Sequence, residues 1–199
     1  MITAEMMLTT ARGIFRVCNH KVGGEMIRTY SCEKRPTRLK LVRIHSGCEF
    51  GDSMDSLHCD CGQQKKVALR AIQLWGSGVF VYSPHQEGRG HGIEIKIIEM
   101  HIAQTNGWDS VQAFRSMGLE HDIRSYEREI EALHDLDLPK RIIHLSGNPR
   151  KAVALQAGGF EIVCPWDPKL RLGKLARQER AHKVELMGYE YPTHTQTVQ

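Results

Sequence analysis

Three cysteines fall within one short segment, CEFGDSMDSLHCDC, as Cys48, Cys59 and Cys61. Thiolates are soft ligands that suit zinc. The ten residues between the first two let a loop fold back, so that Cys48 can meet the close pair. Three protein ligands leave a fourth tetrahedral position open. Open sites are the catalytic kind, because the ion brings the pKa of a bound water to about 7. Carboxylates that could take a proton from such a water stand in or near the segment: Glu49, Asp52, Asp55, Asp60 and Glu87. Two alternatives stay open, reduced structural cysteines or a site closed by His45 or His58. The spacing matches no common zinc-finger pattern.

Two turns have the residues to hold an anion. HQEGRGHG (His85–Gly92) enters a helix. Its glycines let the backbone approach a phosphate, the helix N-terminus favours negative charge, and Arg89 adds a bidentate grip. SGNPRK (Ser146–Lys151) follows a strand and places Pro149 where a helix would begin. Ser146 and Lys151 are the candidate ligands there. The bland readings are a surface turn and a capped helix start. Asp122 and Arg124, two apart, are an acid–base pair beside an anion or an ordinary surface ion pair of small value.

The elements that must carry these residues follow from periodicity. Gly13–Val17 and Glu25–Tyr30 read as strands joined at Gly23-Gly24. Leu39–His45 alternates apolar and basic residues, as a half-exposed strand does. Gln63–Trp75 reads as a helix with Val67, Ala71, Leu74 and Trp75 inward, ended by Gly76, and Val79–Tyr82 as a buried strand. A helix follows the Gly-rich turn as far as Gln104. Ser125–Leu136 is a helix with Ile130, Leu133 and Leu136 inward. Strands Arg141–Leu145 and Phe160–Cys164 flank a helix at Pro149–Ala157, and a charged helix spans Ala176–Leu186. Strands alternate with helices from Leu39 onward, so the class is α/β, a mixed sheet with surrounding helices after an antiparallel N-terminal part.

The 199 residues fit one domain over residues 1–190, with a disordered tail over 191–199. Hydrophobic residues at 41% and charged residues at 25% are ordinary for a globular protein, and a net charge of +4 is too small to argue for nucleic acid. No stretch approaches the roughly 18 apolar residues of a membrane helix. The start, MITAEMMLTT, lacks a basic n-region, so a cytoplasmic location is the default expectation.

Taken together, the motifs resemble GTP cyclohydrolase II. The resemblance runs from Leu41 to Cys164, with a weaker echo at AHKVELMGY (Ala181–Tyr189). Its most specific parts are VRIHSGC, the CDCG around Cys59 and Cys61, QEGRG, WDSVQA, MGLEHDIRSY and SGNPRK. It implies that Cys48, Cys59 and Cys61 hold one zinc ion per subunit. Asp122 would be the proton acceptor, and Arg124 a nucleophile that attacks the α-phosphorus and releases pyrophosphate. Arg43, Gln64, Glu87, Arg89, Ser110, Ser146 and Lys151 would contact the nucleotide, with Ser110 and Ser146 replacing threonines. It further implies a homodimer, magnesium on the triphosphate of GTP, and a GTP cyclohydrolase II-like fold. The product expected is a diaminopyrimidine ribotide formed with loss of formate.

Three departures qualify this. The family has a Glu where Gly47 stands, and an apolar residue where His91 stands. The family's Tyr, thought to assist the zinc chemistry, falls on Met100 or His101 depending on where an inserted residue is placed. Met cannot donate a hydrogen bond, so the formyl group would be kept; His would preserve acid–base help. Alternative outcomes are loss of pyrophosphate alone to give GMP, or a zinc-stabilised nucleotide-binding protein without turnover. The 199 residues carry no sign of a fused synthase domain or of later pathway steps, so both riboflavin synthesis and a specialised pathway are expected to fit.

Overall fold

The computed structural model describes residues 1–165 and 170–191; residues 192–199, most of the expected tail, lie outside the described residues. A single seven-stranded sheet runs through the chain in the order β1-β2-β3-β5-β4-β6-β7. Its first part is an antiparallel meander of β1 (Ile2–Thr10), β2 (Gly13–Val22) and β3 (Glu25–Glu33). Gly23 and Gly24 both take positive φ in the β2–β3 turn, a region glycine enters without strain. β5 (Ser77–Ser83) joins β3 antiparallel, and from there β4 (Lys40–Ser46), β6 (Arg141–His144) and β7 (Glu161–Pro165) continue parallel.

Alternation along β4 divides the core. Val42 and Ile44 join Val79, Val81 and Ile142 on one face, under Ile130 and Leu133 of α5 (Glu127–His134) and Leu155 of α6 (Pro149–Ala157). Leu41 joins Phe80, Ile143 and Phe15 on the other face, under Ala68 and Ile72 of α2 (Cys61–Trp75). Because side chains alternate with period 2, Arg43 and His45 share the α2 face and are carried toward that helix's N-terminus. Leu136 packs partly buried on the first cluster, as expected for an inward position.

One reading is corrected. Leu74 is not inward: it is 70% exposed, whereas Ala68 and Ile72 are buried. The inward stripe runs through Cys61, Gln64, Ala68, Ala71, Ile72 and Trp75, at helical spacing, so that α2 aims its first sulfur into the site while its last turn rests on the sheet. The opening decapeptide is a strand, paired with β2 from Ile2↔His20 to Thr10↔Gly13. Short helices at Glu49–Ser53 (α1) and Ser110–Ser116 (α4) complete the crossovers with α3 (Gly92–Asn106) and α7 (Lys174–Met187). Among the described residues no helix is long and apolar enough to cross a membrane.

Candidate active site

The loops leaving the carboxyl ends of parallel β4, β5 and β6 converge on one cavity of about 360 Å³. Open parallel sheets bind ligands at this edge because the crossovers leave a crevice there. Of the residues singled out above, Cys48, Cys59, Cys61, Arg43, Gln64, Glu87, Arg89, Ser110, Arg124, Ser146, Lys151 and Met100 all line it. Asp122 sits behind Arg124, buried and outside the lining. His101 is exposed and does not line the cavity, so of the two positions on α3 it is Met100 that faces inward.

The sulfurs of Cys48, Cys59 and Cys61 lie within 4.8 Å of one another, Cys48 Sγ to Cys59 Sγ at 3.7 Å. Zinc with Zn–S bonds of about 2.3 Å in tetrahedral geometry needs sulfurs roughly 3.8 Å apart, so the donor set fits that ion. The loop is shaped for it. A Cβ on Gly51 would stand 2.9 Å from the Cys59 sulfur, and one on Gly62 would overlap the Gly51 carbonyl. Hydrogen bonds from Cys59 and Cys61 pull the Cys48 thiol well below its ordinary range, while the same contacts push Cys59 up. Cys61 is pushed up as well, so the three could stand together as thiolates only with a cation between them.

No imidazole closes the set. Among the described residues, the three sulfurs alone form a cluster of that size. His45 Nε2 is committed to Asp52 at 3.0 and 3.1 Å, and its ring stacks on Phe80. Burial holds His45 neutral. Asp52 also accepts from the Cys48 backbone N–H at 3.1 Å, so this carboxylate shapes the loop. Asp60 is wholly buried and faces Lys183. Asp55 pairs with Lys66 at the surface.

Basic side chains line the same cavity as the sulfurs. Lys151 donates to the Ile44 carbonyl at 3.0 Å, and burial, with Arg43 and Arg124 nearby, pulls its ammonium well below the usual lysine range. Arg43 donates to the Leu145 carbonyl at 2.6 Å and to Gln64. Arg124 is clamped by Asp122, Nε to Oδ1 at 2.8 Å and one terminal nitrogen to Oδ2 at 2.7 Å. Burial works against its charge, but Tyr189 and Asp122 outweigh that and hold it a cation. Asp122 is likewise kept ionised against its burial by Arg124 and Arg150. Arg89 takes a left-handed backbone (φ 59°) that folds its guanidinium toward the Phe114 ring, and its buried Nη1 has no hydrogen-bond partner among the described residues.

Glu87 is held by its own surroundings. Its carboxylate accepts from Lys96 Nζ at 2.7 Å and from the backbone N–H of Glu49 at 2.5 Å. Lys96 also reaches the Cys48 sulfur at 3.2 Å. Burial disfavours its charge, but the Cys48 sulfur and Glu87 more than offset this and keep it an ammonium. Lys96 and Glu99 were missed by sequence reasoning, as were the α7 residues of the lining. The signal was present in α3: Ile97 and Ile98 are 51% and 48% exposed while Glu99 is buried, so the helix turns polar side chains inward. Charged residues at i and i+3 on a helix of isoleucines mark a polar cavity rather than a solvent face.

The profile of the family described as GTP cyclohydrolase II matches residues 2–165. A riboflavin biosynthesis protein RibBA of Aquifex aeolicus is 38% identical over 163 residues, covering 80% of this chain and 40% of that one. A GTP cyclohydrolase-2 of Archaeoglobus fulgidus is 43% identical over 123 residues, covering 62% and 32%. One of Shewanella frigidimarina is 35% identical over 162 residues, covering 80% and 79%. The chain spans less than half the length of most of these relatives, 40% of the Aquifex protein for example. Among solved structures, RibBX, a two-domain 3,4-dihydroxy-2-butanone 4-phosphate synthase from A. baumannii, aligns over 85% of this chain and 40% of its own. Its TM-score of 0.45 and 14% identity are too weak to bear on the fold. A profile match over most of the chain, and a relative 35% identical that is covered over 79% of its own length, place it plainly: the chain belongs to the GTP cyclohydrolase II family.

Proposed function

We propose that this protein opens the imidazole ring of GTP at C8 and releases formate and pyrophosphate, leaving a 2,5-diamino-6-ribosylamino-pyrimidinone 5'-phosphate. One observation carries the reading: three sulfurs at zinc spacing and a set of arginine and lysine side chains line one cavity. Zinc held by Cys48, Cys59 and Cys61 would supply a Lewis acid and an acidified water at C8. The chain's own residues do the rest. Glu87, with its oxygens pre-oriented by Lys96 and the Glu49 N–H, is placed to accept the guanine ring N–H and amine. A base lacking those donors leaves a half-buried carboxylate poorly paired, which selects for guanine. Arg43, Arg89, Arg124 and Lys151 receive the triphosphate, with Ser110 and Ser146 adding hydroxyls and Gln64 steadying Arg43.

Asp122 and Arg124 serve the phosphorus. Arg124 stands charged, so attack on the α-phosphorus requires it to pass a proton to Asp122, 2.7 Å away, as pyrophosphate departs; water then breaks the P–N bond to leave the 5'-monophosphate, and Arg124 regains its proton. Until then its cation binds the phosphate. Magnesium enters with the triphosphate as part of the substrate. We carry a homodimer, and a place in riboflavin or specialised metabolite synthesis, as parts of the same proposal.

The test is incubation with GTP, zinc and magnesium followed by identification of every product. Substituting Cys48, Cys59 or Cys61 by Ser should remove zinc and ring opening together, and full turnover by metal-free protein would overturn the reading. Met100 favours a second outcome. It faces the cavity on α3 while His101 faces solvent, so the position implied for the family's tyrosine has no proton to give. Ring opening would then stop at the formylamino-pyrimidine ribotide. Formate in equal amount to GTP consumed excludes that outcome; Met100→Tyr should raise the formate yield if it is correct.

A further inference from the structure

We infer that Lys183 is a positioning residue that, through Asp60, pins the C-terminal helix α7 to the cysteine loop and so fixes one wall of the cavity. The inference takes the cavity to be the nucleotide site proposed above. Asp60 lies between Cys59 and Cys61 and is wholly buried. A carboxylate removed from water beside sulfurs is costly unless fully paired. Its oxygens accept from Gln64 Nε2 at 2.5 Å and Lys183 Nζ at 3.2 Å, with Arg180 at 3.5 Å. Two of the three donors therefore come from α7, far along the chain.

Lys183 is built in for this. Its side chain is 13% exposed and bridges Asp60 to Glu179 at 2.8 Å, one turn earlier. Arg180 is seated on the Tyr191 ring at 3.5 Å. Among the described residues Ala176 is the one buried residue of α7. Apolar packing normally fixes an amphipathic helix, and here the buried ion cluster must do much of that work. Beyond the helix the chain is tied at a second point. The Glu190 N–H donates to the Gly147 carbonyl at 2.8 Å, and the Tyr189 hydroxyl accepts from Asn148 Nδ2 at 2.7 Å. A Cβ on Gly147 would overlap the Glu190 carbonyl, so that turn is shaped to receive the strap. Along this segment Gln178, His182 and Met187 line the cavity. The wall and the sulfur loop thus share one buried carboxylate.

Lys183→Met keeps the stem and removes the charge. In the full chain, amide hydrogen exchange should quicken by at least roughly tenfold in residues 59–64 and 174–191 together, as loss of one partner of a buried pair implies. Zinc release to a chromogenic chelator should quicken in parallel. Lys183→Arg should restore both, and Arg180→Met should give the same pattern more weakly. In an Asp60→Asn background, Lys183→Met should add little. Faster exchange confined to 174–191, with wild-type exchange at 59–64 and wild-type zinc release, overturns the inference. If the wild-type protein binds no zinc, the metal reading fails, and the exchange pattern alone still decides this one.

Discussion

At the scale of single residues, the site depends as much on side chains that are missing as on those present. Gly51 is the clearest case, because the added Cβ of Gly51→Ala would stand 2.9 Å from both the Cys59 sulfur and the Cys61 Cβ. Both neighbours belong to the loop, and neither is the far end of a flexible chain. We expect Gly51→Ala to fold with a loosened loop and to bind zinc at least roughly tenfold more weakly, a loss typical of disturbing what orients a metal ligand. Competition with a chelator of known affinity checks this, and wild-type affinity would show that the loop relaxes freely. The cysteines themselves were legible because thiols at close spacing have few other uses. Lys96 was not, since one lysine among 27 Lys and Arg residues carries no mark until the helix face is known.

At the scale of elements, one helix cap illustrates how the frame and the site are joined. Asn148 caps α6, its Oδ1 accepting from the Arg150 N–H at 2.9 Å, while Nδ2 donates to the hydroxyls of Tyr126 at 3.2 Å and Tyr189 at 2.7 Å. The helix so started carries Lys151 in its first turn. Asn148→Ala should cost about 1 kcal/mol for the cap alone. Leaving the buried Tyr126 hydroxyl without this donor adds a penalty of the same order, about 1 kcal/mol or more. Urea unfolding measures the sum; Asn148→Asp, which keeps the acceptor, should recover the cap portion only. Elements with strong punctuation were readable in sequence: Pro149 opening α6, Gly76 in the left-handed cap of α2, and the paired glycines of the β2–β3 turn. Strand β1 was not, because Thr3 to Met7 are all exposed and its residues show no inward alternation. Its pairing partner alone defines it. The inward face of α2 was misjudged for a related reason: Trp75 and Leu74 are equally apolar, and only the demand on Cys61 decides between them.

At the scale of the whole molecule, stability against acid follows from imidazoles folded away in neutral form. His144 is 1% exposed, and burial, with Arg43 and Lys151 nearby, takes it down to about 3. His121 is taken down to about 4 by burial and by Arg89. Each titrates near 6.5 in the unfolded chain. The unfolded state therefore binds the extra protons, and stability present above pH 6.5 is lost as pH falls toward 4. Each histidine contributes a slope of up to about 1.4 kcal/mol per pH unit in that window. Unfolding free energies from pH 7 to 4.5 should fall accordingly, and His144→Gln should flatten the profile; an unchanged slope would show that His144 is already protonated when folded. The sheet's overall class was readable from alternating patterns, whereas the gathering of distant residues at one edge required the topology itself. That gathering has a kinetic side. Although the chain carries only +4 overall, Arg43, Lys96, Arg124 and Lys151 all open onto one recess. Field lines focused by a low-dielectric rim draw a polyanion inward faster than diffusion alone would bring it. Capture of a triphosphate should accordingly slow as added electrolyte shortens the screening length, while the encounter of an uncharged nucleoside stays indifferent to it.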